Sequence, residues 1–197
     1  MAIFLIEGGI GCGKTLTGVW YVIQDLYAGK KIITNTYLKN IPRELRKNVQ
    51  ILDKEMIENL YEKVKDRTLK LPNTTLFLQE AHNYMDSRRS MSKKNQVLTR
   101  FITMSRHSGQ GSFDIIVDTQ KKEQLDIRLR QNTDYLIHPQ IIKYELKKSK
   151  SGKITKLPHL ILLDKWAKIG HKEYKLRQII DVSKVRDQYD THELVDF

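Results

Sequence analysis

The sequence predicts an α/β fold in three layers, a mainly parallel sheet between two layers of helix. Three observations carry that expectation. From residue 2 to about residue 138, short apolar runs alternate with longer amphipathic stretches, as strands joined by helical crossovers do. The first run leads directly into Gly8-Gly9-Ile10-Gly11-Cys12-Gly13-Lys14-Thr15, a glycine loop placed between a strand and a helix. No linker-like tract and no internal repeat divides the 197 residues, so one domain is expected, with its core over about 2–138 and a basic β-hairpin and tail over about 139–197.

Taken in order, Ala2-Ile3-Phe4-Leu5-Ile6-Glu7 is short, apolar and strand-like, and residues 14–28 read as the helix after the glycine loop. Residues 31–36, β-branched and apolar, read as a second strand, and residues 38–52, with Pro42 and several basic residues, as a connection. Residues 53–65 read as a helix with Ile57, Leu60, Tyr61 and Val64 on one face. Leu71-Pro72-Asn73 is a turn, and the apolar strand that follows ends in Gln79-Glu80. A polar stretch over 83–95, a helix over 96–105 and a glycine-containing loop over 108–112 lead to a buried strand over 113–120. Residues 123–131 read as helical and 134–138 as a further strand. Past Pro139 the pattern changes to a hairpin, with arms over 141–146 and 154–166 and a basic tip, and then to a polar, mixed tail.

The glycine loop fits G-x-x-x-x-G-K-[ST], the P-loop pattern. Glycines let backbone N–H groups curl around phosphate oxygens, and the helix N-terminus behind them favours an anion. Gly8, Gly9, Ile10, Gly11, Cys12, Gly13, Lys14, Thr15 and Leu16 are therefore the expected nucleotide-binding residues, with Lys14 reaching the β and γ phosphates and the Thr15 hydroxyl ligating Mg²⁺.

Hydrolysis needs a second, acidic strand beside the P-loop, in which an Asp orients Mg²⁺ and its waters and a following Glu polarises the attacking water. Glu80 is placed to be that base. Gln79 stands where the Asp is expected; its amide contacts the metal only indirectly, through a water, with Asp86 and Asp118 as acids that can compensate. Gln120, at the end of the 113–120 strand, is the expected γ-phosphate sensor. Arg106, Arg128 and Arg130 are candidates to stabilise charge during phosphoryl transfer, one of them offered by a neighbouring subunit. The six histidines show no zinc spacing and read as structural.

Composition bounds the setting. Apolar residues at 40% and charged residues at 29% give an ordinary globular balance, and no run is long enough to cross a bilayer. The N-terminus lacks the basic region of a signal peptide. The single cysteine, Cys12, excludes a disulfide within the chain and suits a reducing, intracellular setting. A net charge of +12 favours a polyanionic partner. Lys143, Lys147, Lys148, Lys150, Lys153 and Lys156 on the hairpin, and Arg88, Arg89, Lys93 and Lys94 after the acidic strand, are suited to sequence-independent phosphate contacts.

The ordered set of P-loop, acidic strand, Arg106-His107-x-Gly109, a strand ending in Thr119-Gln120, and Leu129-Arg130-Gln131-Asn132-Thr133-Asp134 resembles the FtsK–HerA superfamily of P-loop motors. More closely it resembles the small Zot-like and genome-packaging ATPases of archaeal and bacterial viruses, as do residues 86–95 and Tyr189-Asp190-Thr191-His192-Glu193. That resemblance implies a RecA-like sheet, ATP hydrolysis with Mg²⁺ at subunit interfaces, a homo-oligomeric ring such as a hexamer, and movement of double-stranded DNA through it. It implies that Lys14 and Thr15 bind ATP and Mg²⁺, that Glu80 is the catalytic carboxylate and that Gln120 is the sensor. Zot and its filamentous-phage relatives carry a membrane segment after the ATPase domain; this chain shows none, which favours packaging at a viral capsid or portal vertex, in the host-cell cytoplasm, over export. A nucleotide-dependent virion-assembly or DNA-binding module with weak hydrolysis, kept open by Gln79, and a related DNA pump or helicase are the alternatives.

Overall fold

The computed structural model describes residues 2–66, 68, 70–83, 97, 113–148, 154–169 and 172–194. Strand β1 (Ile3–Glu7) leads through the glycine loop to helix α1 (Lys14–Tyr27). There follow β2 (Lys31–Thr34), β3 (Thr36–Leu38), α2 (Arg43–Arg46), β4 (Val49–Ile51), α3 (Lys54–Lys65) and β5 (Thr74–Leu78). The second half holds β6 (Phe113–Thr119), α4 (Ile127–Gln131), β7 (Tyr135–Lys148), β8 (Ile154–Ile169), β9 (Lys172–Asp181) and β10 (Tyr189–Leu194).

Among the described residues the main sheet has the order β4-β2-β5-β6-β1-β7-β8-β9. The strands from β4 to β7 are parallel to one another. Strands β8 and β9 are added antiparallel. A small second sheet pairs β10 with β3. The acid-bearing strand β5 brings its end beside the P-loop with β6 between it and β1; β6 pairs with both.

Period-two alternation sends side chains to two cores. Ile6, Ile32, Phe77, Ile116, Ile137, Ile161 and Leu163 face α1, which buries Leu16, Val19, Val22, Ile23 and Leu26 against them. Ile3, Leu5, Ile33, Leu76, Leu78, Ile115 and Val117 face the other way, onto Ile57 and Leu60 of α3 and Leu129 of α4. Each such side chain contributes about 1.5–3 kcal/mol on burial. Helix α1 can approach this closely because Gly18 lies over the Phe77 ring; a Cβ there would fall 2.4 Å from Phe77 Cε2.

The C-terminal part differs from the sequence expectation. The 134–138 strand and the first hairpin arm are a single strand, β7, whose start pairs with β1 and whose whole length pairs with β8. The hairpin therefore extends the main sheet. The tail read as polar and mixed supplies β9 and β10, and the connection read over 38–52 contains β4, a parallel edge strand. The second strand stops at Thr34, and Asn35 turns the chain into β3. The expected 123–131 helix is a short 3-10 turn at Lys122–Gln124 followed by α4, whose N-cap Asp126 accepts from the Arg128 backbone N–H. Residues 84–96 and 98–112 lie outside the described residues, and with them the polar stretch read over 83–95 past Asn83, with its basic cluster Arg88, Arg89, Lys93 and Lys94, the helix read over 96–105 apart from Val97, and the loop read over 108–112; so does the hairpin tip with Lys150 and Lys153.

Candidate nucleotide-binding site

The carboxyl ends of β1, β5 and β6 lie side by side, the place where an open parallel sheet presents a ligand crevice. The glycine loop leaves β1 there, tethered by the Gly8 N–H donating to Thr119 O at 3.4 Å. Gly11 and Gly13 hold φ of 78° and 98°, a region that suits glycine and strains any L side chain. Gly13 is the N-cap of α1, with no side-chain cap, so the first-turn N–H groups are left to an incoming anion.

Lys14 is buried, and its Nζ donates to Gly9 O at 3.0 Å, which holds the ammonium across the loop. The Thr15 hydroxyl donates to Asp118 Oδ2 at 3.0 Å. Asp118, near the end of β6, is fully buried, and its Oδ1 accepts the Glu80 backbone N–H at 2.6 Å. Burial pushes the Asp118 carboxyl up to about 7. Glu80 takes a left-handed backbone with φ of 49°. Its Oε2 is buried, has no hydrogen-bond partner among the described residues, and lies 3.4 Å from His82 Nδ1. His82 Nδ1 is in turn 3.5 Å from Thr119 Oγ1.

Gln79 is fixed from both sides. Its backbone N–H and C=O pair with the Asn35 side-chain amide at 2.8 and 2.9 Å, and its Oε1 accepts from Thr36 Oγ1 at 3.0 Å. These groups enclose a cleft of about 280 Å³ lined by Ile10, Gly11, Gly13, Lys14, Thr15, Leu16, Gln79 and Glu80 on one side and by Ile141, Pro158 and Tyr189 on the other. The C-terminal strands thus form one wall. Ile141 and Ile161 press on the loop itself: a Cβ on Gly13 would fall 2.8 Å from Ile161 Cδ1. Burial, and after it the Asp118 charge, pushes the Tyr189 hydroxyl up to about 12.

The structure brings Lys14, Thr15, Leu16, Gln79 and Glu80 together around the loop. Gln120 is exposed, one residue past β6, and is not among the cleft-lining residues. Arg128 is exposed on α4. Arg130 donates through Nε to Leu125 O at 3.1 Å and lines a separate cleft with Leu5, Asp134 and Trp166, on the sheet face away from α1. Arg106 and Asp86 lie outside the described residues. Sequence reasoning missed the parts played by Asn35, Thr36, His82 and Tyr189. Asn35 and Thr36 end a β-branched run and read there simply as strand; Tyr189 is far along the chain and reaches the cleft only through β10 pairing with β3.

The donor set fits a nucleotide triphosphate with Mg²⁺. The loop needs glycine where it turns, the uncapped helix end and Lys14 suit phosphate, Thr15 offers a hydroxyl ligand, and the Glu80 carboxylate, with an oxygen that accepts no hydrogen bond among the described residues, can act as a proton acceptor. Among the described residues no group of His, Cys, Asp and Glu forms a metal cluster of its own, and no helix is long and apolar enough to cross a membrane.

The sequence model of the family described as "Zonular occludens toxin (Zot)" matches residues 2–143. No curated protein sequence matches the chain. Among solved structures, the chain is similar to the N-terminal domain of zonular occludens toxin from Neisseria meningitidis, with 22% identity, 96% of this chain and 98% of that one covered, and a TM-score of 0.58. It is similar to the genome packaging NTPase B204 of Sulfolobus turreted icosahedral virus 2 in complex with ATP-gammaS, with 17% identity, 90% and 96% coverage and a TM-score of 0.52. The pCW3 conjugation coupling protein TcpA, with ATPgS, shares 13% identity over 92% of this chain and 61% of its own, with a TM-score of 0.52. These likenesses establish the P-loop NTPase fold.

Proposed function

This chain belongs to the zonular occludens toxin (Zot) family, and from that membership and the geometry of its cleft we propose that it is an ATP-hydrolysing motor that drives double-stranded viral DNA into a capsid, working as a homo-oligomeric ring. The observation that carries the reading is the meeting of Lys14, Thr15 and Glu80 in one cleft at the carboxyl ends of the parallel strands. The packaging NTPase of similar fold supports the choice of cargo.

In this reading the loop N–H groups and Lys14 hold the β and γ phosphates of ATP, and Thr15 ligates Mg²⁺. Bound Mg²⁺ would neutralise phosphate charge as it develops. Gln79 acts on the metal only through a water, while its backbone, clamped by Asn35, fixes the end of β5. Glu80 accepts the proton of the attacking water, its Oε2 oxygen having no hydrogen-bond partner among the described residues and His82 Nδ1 at 3.4 Å. The positive charge that completes phosphoryl transfer is Arg106, Arg128 or Arg130 of a neighbouring subunit, while Gln120, outside the cleft lining, would need that assembly to meet the γ-phosphate. The exposed lysines Lys143, Lys147, Lys148 and Lys156 of the β7–β8 ribbon contact DNA phosphates.

The test is steady-state ATP hydrolysis with and without linear double-stranded DNA, alongside a native mass measurement. DNA-stimulated turnover and a ring mass are expected. Lys14→Ala abolishes turnover, and Glu80→Gln lowers it by about 10²–10⁴-fold while ATP is still bound. Wild-type turnover no higher than that of Lys14→Ala overturns the reading. It would leave the second one, a nucleotide-dependent assembly or DNA-binding module, which the uncharged Gln79, with its Oε1 already engaged by Thr36, favours.

A further inference from the structure

We propose that Asp118 is the acid of the Mg²⁺ site: it orients the Thr15 hydroxyl toward the ion and supplies the negative charge that Gln79 lacks. The inference rests on the nucleotide-binding reading of the cleft.

Register is the first observation. Leu78 of β5 pairs with Val117 of β6, so the residue that follows each, Gln79 and Asp118, stands at the same level on adjacent parallel strands. The pairing of Ile6 with Asp118 puts the carboxylate on the α1 face, where Ile6 packs and where the glycine loop opens. The carboxylate thus stands one strand across from the position where the motif expects it, on the strand that pairs directly with β1.

Hydrogen bonding is the second. A hydroxyl has one proton and two lone pairs. Thr15 commits its proton to Asp118 Oδ2, so its lone pairs are turned away from the carboxylate and made more electron-rich. This is the arrangement in which an outer carboxylate orients and strengthens a metal ligand. Gln79 carries no charge, and its Oε1 accepts from Thr36 on β3 while the Thr15 proton goes to Asp118.

The third observation concerns charge and the general base. Asp118 is fully buried, its two described hydrogen-bond donors, the Thr15 hydroxyl and the Glu80 N–H, are neutral, and the Lys14 ammonium that acts on it is opposed by the Glu80 carboxylate. A desolvated carboxylate so placed is stabilised by a nearby cation. The bond to the Glu80 N–H also braces that residue in its left-handed backbone, so one carboxylate links the ligand Thr15 to the base Glu80. Asp118 is a positioning residue in this scheme, acting through Thr15 and Glu80.

The experiment titrates Mg²⁺ against the affinity of the full chain for a fluorescent, non-hydrolysable ATP analogue, with a parallel arm in EDTA. In the near-isosteric variant Asp118→Asn the Mg²⁺ needed for half-maximal tightening is expected to rise by about 10–100-fold, the cost of losing an outer-shell partner. Affinity in EDTA is expected to stay within about twofold of wild type. Adding Gln79→Asp to Asp118→Asn returns the Mg²⁺ requirement toward the wild-type value. An unchanged Mg²⁺ titration in Asp118→Asn, or an equal loss in both arms, overturns the proposal. If Asp118→Asn does not fold, Gln79→Asp alone decides: a requirement within about twofold of wild type supports the proposal, and a drop of about tenfold or more overturns it by showing that the site lacked its acid. Wild-type protein that binds the analogue in neither arm instead overturns the nucleotide-binding reading.

Discussion

Glu80 holds a left-handed backbone that costs a non-glycine residue about 1–2 kcal/mol, and it is held there by the Asp118 carboxylate on its N–H. Local strain of this kind persists where its surroundings over-determine it, which here are the Asn35 clamp on Gln79 before it and the 3-10 turn Ala81–Asn83 after it. Tyr21 is a contrasting case. Its hydroxyl is buried with no hydrogen-bond partner among the described residues, and burial, then Tyr135, pushes its pKa up. An unpaired buried polar group costs about 1–3 kcal/mol. Tyr21→Phe is therefore expected to keep or raise the thermal midpoint, read by differential scanning calorimetry; a fall of several degrees would mean that the hydroxyl is satisfied. At this scale the P-loop residues and Glu80 were legible, because a spacing motif dictates them. Asp118 was legible as an acid able to compensate for Gln79, with Asp86 as an equal alternative. Its pairing with Thr15 depends on β6 lying between β1 and β5, which no local pattern contains.

Helix α1 and the strands beneath it form the element that sets the loop. The helix carries apolar residues along one face, and Gly18 is the position where it touches the sheet, against the Phe77 ring. Gly18→Ala has the better helix former but drives a Cβ into that ring, and overpacking of this kind costs about 1–3 kcal/mol. Urea denaturation is expected to show that loss, with partial recovery in Gly18→Ala/Phe77→Leu; a stabilised Gly18→Ala would place the helix farther from the sheet. The helices α1 and α3 and the strands β1, β2, β5 and β6 were readable from periodicity. Strand β4 was not, since Val49-Gln50-Ile51 is too short to show a period. Strand β7 was divided at Pro139 because proline normally interrupts a central strand; the pairing with β1 ends at Ile137, just before it.

At the scale of the whole molecule, the ribbon strands β7 and β8 and the tail strand β10 are joined to the nucleotide cleft. Ile141, Pro158 and Tyr189 line it, and Ile161 packs on Gly13. The β7–β8 ribbon also carries Lys143, Lys147, Lys148 and Lys156 exposed along its length. One continuous strand, β7, therefore runs from the side of the P-loop strand to the basic ribbon, a direct path between nucleotide and the surface proposed to meet DNA. The sequence showed the ribbon's charge but not this continuity, which depends on long-range pairing between residues far apart in the chain. A net charge of +12 makes DNA binding expected; movement along DNA is the stronger claim. Displacement of a third strand from a triplex formed on linear double-stranded DNA tests it most directly. ATP with Mg²⁺ is expected to drive displacement by the wild-type protein, with none in Glu80→Gln or with a non-hydrolysable ATP analogue. Full ATP turnover on the same DNA with the third strand left in place would contradict a translocating motor.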